Sequence, residues 1–110
     1  MSSSPPTVRQ AQRIAVMNNA GLVLSFQVKY KDHSGKDGIS DSSENILNPQ
    51  KATIDMAGVA GIEPGVKMKP KISVLAGPAQ DGPEVEFAAN ELTAVYSVTG
   101  TVTSFTVELI

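Results

Sequence analysis

The chain has no cysteine and no tryptophan, a single histidine, and aromatic residues at only 5% of its 110 positions. Each shortage removes a chemistry. Without cysteine there is no disulfide, no thiol nucleophile and no thiolate metal site, and the absence leans towards a reducing compartment. One histidine excludes a multi-histidine zinc site, so any metal would need oxygen ligands. That residue, His33, lies in Lys31-Asp32-His33-Ser34-Gly35-Lys36-Asp37-Gly38. The stretch reads as an exposed turn, without the apolar walls that suit a general base. No apolar run approaches the length of a transmembrane helix, and the Ser/Pro-rich start has no apolar core of a Sec signal peptide. The expected location is therefore cytoplasmic, or the protein is exported without a classical signal peptide. Nine basic and eleven acidic residues give a net charge of −2 and no global attraction to nucleic acid.

What the chain does have is a hydrophobic period of two. Leu22, Leu24, Phe26, Val28 and Tyr30 alternate with Val23, Ser25, Gln27, Lys29 and Lys31, the pattern of a half-buried strand. Val66 to Ala76, Leu92 to Val98 and Phe105 to Leu109 alternate in the same way, and Arg13 to Met17 is a short apolar run. Ile39 to Leu47 is a more polar strand candidate anchored by Ile39, Ile46 and Leu47. Gly/Pro-rich pieces such as Ala57 to Gly65 and Gly77 to Pro83 read as connectors, and Thr99-Gly100-Thr101 as a hairpin turn. These signals predict an all-β fold: one antiparallel β-sandwich of seven or eight strands, immunoglobulin-like or related, with a small barrel as the alternative. Residues 1–9 read as a flexible Ser/Pro-rich tail and 10–110 as the sandwich domain.

Three charge patterns stand out. Lys67, Lys69 and Lys71 fall on one face of one strand, and Lys29 and Lys31 are in phase on theirs. If the two strands are neighbours, five of the nine basic residues share a patch able to meet an anionic surface or lipid headgroups. The competing explanation is that lysines together with Pro70 protect an edge strand from aggregation. Asp37, Asp41 and Glu44 supply carboxylates that Ca²⁺ prefers, but not at EF-hand spacing, and otherwise belong to a solvated loop. No other cofactor is expected. Asp81, Glu84, Glu86 and Glu91 form an acidic stretch opposite in sign to the lysine row. Paired carboxylates could hydrolyse glycosides, but the chain lacks the tryptophan platforms on which sugars stack. Segregated charge instead favours pairing between copies, hence a homo-oligomer. The serine- and threonine-rich end, from Thr93 to Thr106, is ordinary β-propensity.

Ile14 to Val28 (IAVMNNAGLVLSFQV) and Ala94 to Leu109 (AVYSVTGTVTSFTVEL), about a quarter of the chain, resemble small cysteine-poor microbial β-sandwich proteins of unassigned function. They are also loosely similar to the first strands of aegerolysins and actinoporin-like cytolysins, which are lipid-binding β-sandwiches. The resemblance implies a non-enzymatic recognition module. It carries over no lipid-binding residue, because those cytolysins are rich in Trp and Tyr at the lipid-binding end and this chain has no Trp and two Tyr. The expected function is thus a non-enzymatic binding or self-assembly module. The alternatives are a lipid- or cell-surface-binding toxin-like protein and, third, a carboxylate-based hydrolase.

Overall fold

A computed structural model describes residues 9–75 and 77–110. The tail expected over residues 1–9 lies outside the described residues except for Arg9. Among the described residues there is no helix, and ten strands form two sheets. In chain order they are β1 (Gln10–Ala11), β2 (Arg13–Asn18), β3 (Leu24–Lys31), β4 (Asp37–Ile39), β5 (Lys51–Asp55), β6 (Lys67–Val74), β7 (Ala79–Asp81), β8 (Val85–Phe87), β9 (Thr93–Gly100) and β10 (Phe105–Leu109). The larger sheet runs β1-β8-β6-β3-β4 with β7 alongside β6, and the smaller runs β10-β9-β2-β5. The sheets are open, so the arrangement is a sandwich and not a barrel. They are also mixed: β1 pairs parallel with β8, and β2 pairs parallel with β9. The chain changes sheet at Gln12, between β1 and β2. The side chain of Gln12 donates to the Asp55 carboxylate and accepts from Glu91 N–H.

The core lies between the sheets and comes from the alternating positions. Leu24, Phe26, Val28, Met68, Ile72 and Val74 line one side, and Ile14, Val16, Ala94, Tyr96, Val98 and Val107 the other. Each buried aliphatic or aromatic side chain contributes on the order of 2 kcal/mol. Tyr96 is fully buried, and its hydroxyl donates to Pro83 O at 2.6 Å. Burial pushes that hydroxyl's pKa well above the ordinary tyrosine value.

Two features connect sequence to strand pairing in ways that periodicity does not reveal. The polar stretch after β4 is not a strand but still closes the edge of β3. Ser40 N–H donates to Val28 O and Ser40 Oγ accepts from Val28 N–H; Ser43 does the same for Phe26. The serine hydroxyl replaces the main-chain carbonyl, so residues three apart can serve partners two apart. Ile46 completes the series by bridging Leu24. Of the three anchors expected here only Ile46 is buried; Ile39 and Leu47 are each 49% exposed. The second feature is Asn18, wholly buried at the end of β2. Its Nδ2 donates to Leu22 O and Ile46 O, and its Oδ1 accepts from Ala20 N–H. One amide shapes the turn and ties the two sheets together.

Candidate functional site

The lysines that the sequence picks out do come together. In the antiparallel register of β3 and β6, Lys29 faces Lys69, Lys31 faces Lys67, and Gln27 faces Lys71. Five lysines therefore share the outer face of the larger sheet. Like charges placed directly opposite repel, and neighbouring strands answer with carboxylates. Asp81 Oδ2 lies 2.8 Å from Lys29 Nζ and 3.6 Å from Lys69 Nζ. Asp37 Oδ1 lies 3.5 Å from Lys31 Nζ, and Glu86 stands in register with Lys67. The hydrogen bond from Lys29 is the main cause holding the Asp81 carboxyl below its usual pKa. Five lysines against Asp37, Asp81 and Glu86 leave an excess of two positive charges. Part of this face borders a shallow concavity of about 870 Å³ whose walls include Lys29, Lys31, Lys67, Lys69, His33 and Glu84.

Two expectations about this face are corrected. β6 is not an edge strand, since β3 pairs on one side and β7 and β8 on the other. Pro70 is tolerated because its ring nitrogen points away from β3, into the gap between the β8 pairing at Lys67–Met68 and the β7 pairing at Lys71–Ser73. Only its carbonyl is used there, accepting from Gly82 N–H. Nor are basic and acidic strands presented separately for pairing between copies. Asp81 and Glu86 lie among the lysines and compensate them within one copy.

The carboxylates expected as calcium ligands are not gathered. Asp37 pairs with Lys31, while Asp41 and Glu44 belong to the serine-bonded segment beside β3. Among the described residues no group of three or more acidic or histidine side chains is placed to hold a metal ion. His33 is exposed in its turn, with Nε2 2.9 Å from Pro64 O. Asp32 organises that turn by accepting from Ser34 and from Lys36 N–H, and the Ser34 bond is the largest cause lowering its carboxyl pKa.

A different region emerges where four loops meet at the end of the sandwich beyond Asn18, Val74 and Gly100. The Asn19–Val23 turn contacts the others through Gly21 N–H to Gly100 O, Asn48 Nδ2 to Ala20 O and Leu75 N–H to Val23 O. A Cβ on Gly77 would stand 3.1 Å from Val102, which places the last two loops together. None of the described residues in 19–23, 47–50, 75–78 and 101–104 is charged. Of the six large hydrophobic residues exposed among the described residues, Leu47, Leu75 and Val102 are there, with Leu75 69% exposed. The opposite end carries Asp32, His33, Lys36, Glu63 and Glu91. Alternation could not find this region, because its residues lie outside the strands; scoring each loop for charge would have.

The fold is thus an all-β sandwich with one charged and one uncharged end. No family model matches the chain, and no curated protein does. Among solved structures it is similar to a disulfide-locked mutant of intermedilysin with human CD59, at 18% identity over 89% of this chain and 23% of that one, TM-score 0.49. A non-haemolytic pneumolysin from Streptococcus pneumoniae matches at 13% identity over 89% and 23% of the two chains, TM-score 0.47. Listeriolysin O matches at 12% identity over 89% and 22%, TM-score 0.46. The chain spans about a quarter of the length of these structures. None of the three bears the aegerolysin or actinoporin name to which the sequence resemblance points.

Proposed function

We propose that the chain is a non-catalytic, toxin-like surface-binding module that meets a lipid surface through its uncharged loop end. The observation that carries this reading is the coincidence of exposed Leu47, Leu75 and Val102 with four loops free of charge among their described residues. Moving a charged side chain towards the acyl boundary is expensive, and moving an apolar one there is favourable. Burying three such side chains contributes about 5 kcal/mol, enough for weak, reversible attachment. The lysine-bearing sheet face is the less favoured contact, because Asp37, Asp81 and Glu86 offset three of its five charges. Co-sedimentation with vesicles separates the two surfaces. Contact through the loop end predicts binding to neutral phosphatidylcholine that is lost on Leu75→Glu. Contact through the lysines predicts dependence on anionic lipid and loss on Lys69→Glu.

A further inference from the structure

The edge of the smaller sheet carries a self-complementary message. Among the described residues β5, Lys51-Ala52-Thr53-Ile54-Asp55, is its last strand and pairs only with β2. The phase of that pairing follows from its two ends. Met56 N–H donates to Gln12 O, and Asn18 N–H donates to Gln50 O. Antiparallel bonding alternates, so Ala52 and Ile54 are the β5 residues bonded to Val16 and Ile14 across the ladder. The N–H and C=O groups of Lys51, Thr53 and Asp55 therefore point outward along the open edge. Among the described residues no main-chain partner meets them.

We infer that β5 pairs antiparallel with β5 of a second copy about a two-fold axis at Thr53. In that register Thr53 meets Thr53 of the other copy, and Lys51 meets Asp55 twice over. All three outward-pointing residues then fall at hydrogen-bonded positions. The same register sets an ammonium against a carboxylate at both ends of the contact. It also aligns Ala52 with Ile54, half-buried residues packed against the core on the inner side. Asp55 is held in place within its own copy. Gln12 Nε2 and Ala57 N–H bond its carboxylate, and these bonds with nearby Arg13 keep its pKa low, the Ala57 bond contributing most. The side chain is still 47% exposed. An isologous contact of this kind closes as a dimer. The other long edge of the sheet, β10, has no such charge pattern: centred on Val107 it would set Thr106 against Glu108. A five-residue strand covers a small area, so the dimer is weak and forms at high protein concentration.

The test is sedimentation equilibrium of the full chain across a concentration series, with amide hydrogen exchange read at Thr53. The expected result is a monomer–dimer equilibrium in which Thr53 N–H gains protection as the dimer fills. Thr53→Pro removes one outward N–H without touching the β2 ladder, and Lys51→Glu puts like charges together. Both variants are expected to stay monomeric while keeping the wild-type circular dichroism spectrum. A wild-type chain that remains monomeric at millimolar concentration overturns the inference. So does a dimer that survives both substitutions, or a ladder of larger species, which would mean heterologous edges. None of these readouts involves lipid, so they are independent of the loop-end reading.

Discussion

Lys29 and Lys69 stand directly opposite each other on β3 and β6, and the Asp81 carboxylate reaches both, at 2.8 Å and 3.6 Å. A cross-strand pair of like charges would destabilise the sheet. Here β7 delivers the counter-charge from the flank of β6, where Asp81 lies in register with Lys71. The short strand inside Gly77 to Pro83 thus has a purpose that a loop of the same composition would not serve.

Replacing Asp81 with Asn should lower stability by about 1 kcal/mol at neutral pH, a value kept small because the pair is partly exposed and screened. The pH dependence gives a sharper check. The folded-state pKa of Asp81 is depressed below 3.8, as are those of Asp32 and Asp55. A depressed carboxylate contributes stability that is fully present above the unfolded value and is lost as pH falls through the folded one. Urea unfolding from neutral to acid should therefore show a flat region, then a decline below about pH 4. The gap between wild type and Asp81→Asn should close along that decline.

Asn18→Ala removes a buried amide that makes three hydrogen bonds. It leaves the carbonyls of Leu22 and Ile46 and the N–H of Ala20 without that partner inside the protein. The expected cost is about 3 kcal/mol. Thermal unfolding followed by circular dichroism measures it, and a cost below about 1 kcal/mol would mean that water takes over the amide's role.

Gly100 ends β9 with φ +115, and a Cβ there would lie 2.5 Å from Ser104 O and 2.8 Å from Phe105 Cα. Neither neighbour is the end of a flexible side chain. Gly100→Ala should therefore cost about 2 kcal/mol. The turn itself is Thr101 to Ser104, closed by reciprocal main-chain bonds, starting two residues beyond the turn expected from Thr99-Gly100-Thr101. Unfolding midpoints of Gly100→Ala and Gly21→Ala make the comparison, since a Cβ on Gly21 meets nothing within 4 Å.

Strands whose burial alternates were legible, β3, β5, β6, β9 and β10 among them, as was the apolar run of β2. Some short pieces were not. β1 holds two residues, too few for a period to register, and β7 hides among glycines and prolines. The segment after β4 misled because Ser40 and Ser43 pair through their hydroxyls, which places no demand on apolar alternation. The five-lysine face was readable only conditionally, because phase within a strand is local and strand neighbours are not. Its compensation by Asp81 depended on where β7 returned. The uncharged loop end was legible in composition but scattered over four separate stretches that only the topology unites.

Contact with lipid through the loop end, not the lysine face, is open to measurement. Its most direct test is co-sedimentation with neutral phosphatidylcholine vesicles, comparing the wild-type chain with Leu47→Ser/Leu75→Ser/Val102→Ser and with Lys29→Gln/Lys69→Gln. Wild type and the lysine variant are expected to bind alike, and the loop variant to lose binding at least tenfold for about 1.4 kcal/mol or more of lost apolar burial. Equal binding by the loop variant, or binding that appears only with anionic vesicles and vanishes with the lysines, would contradict it.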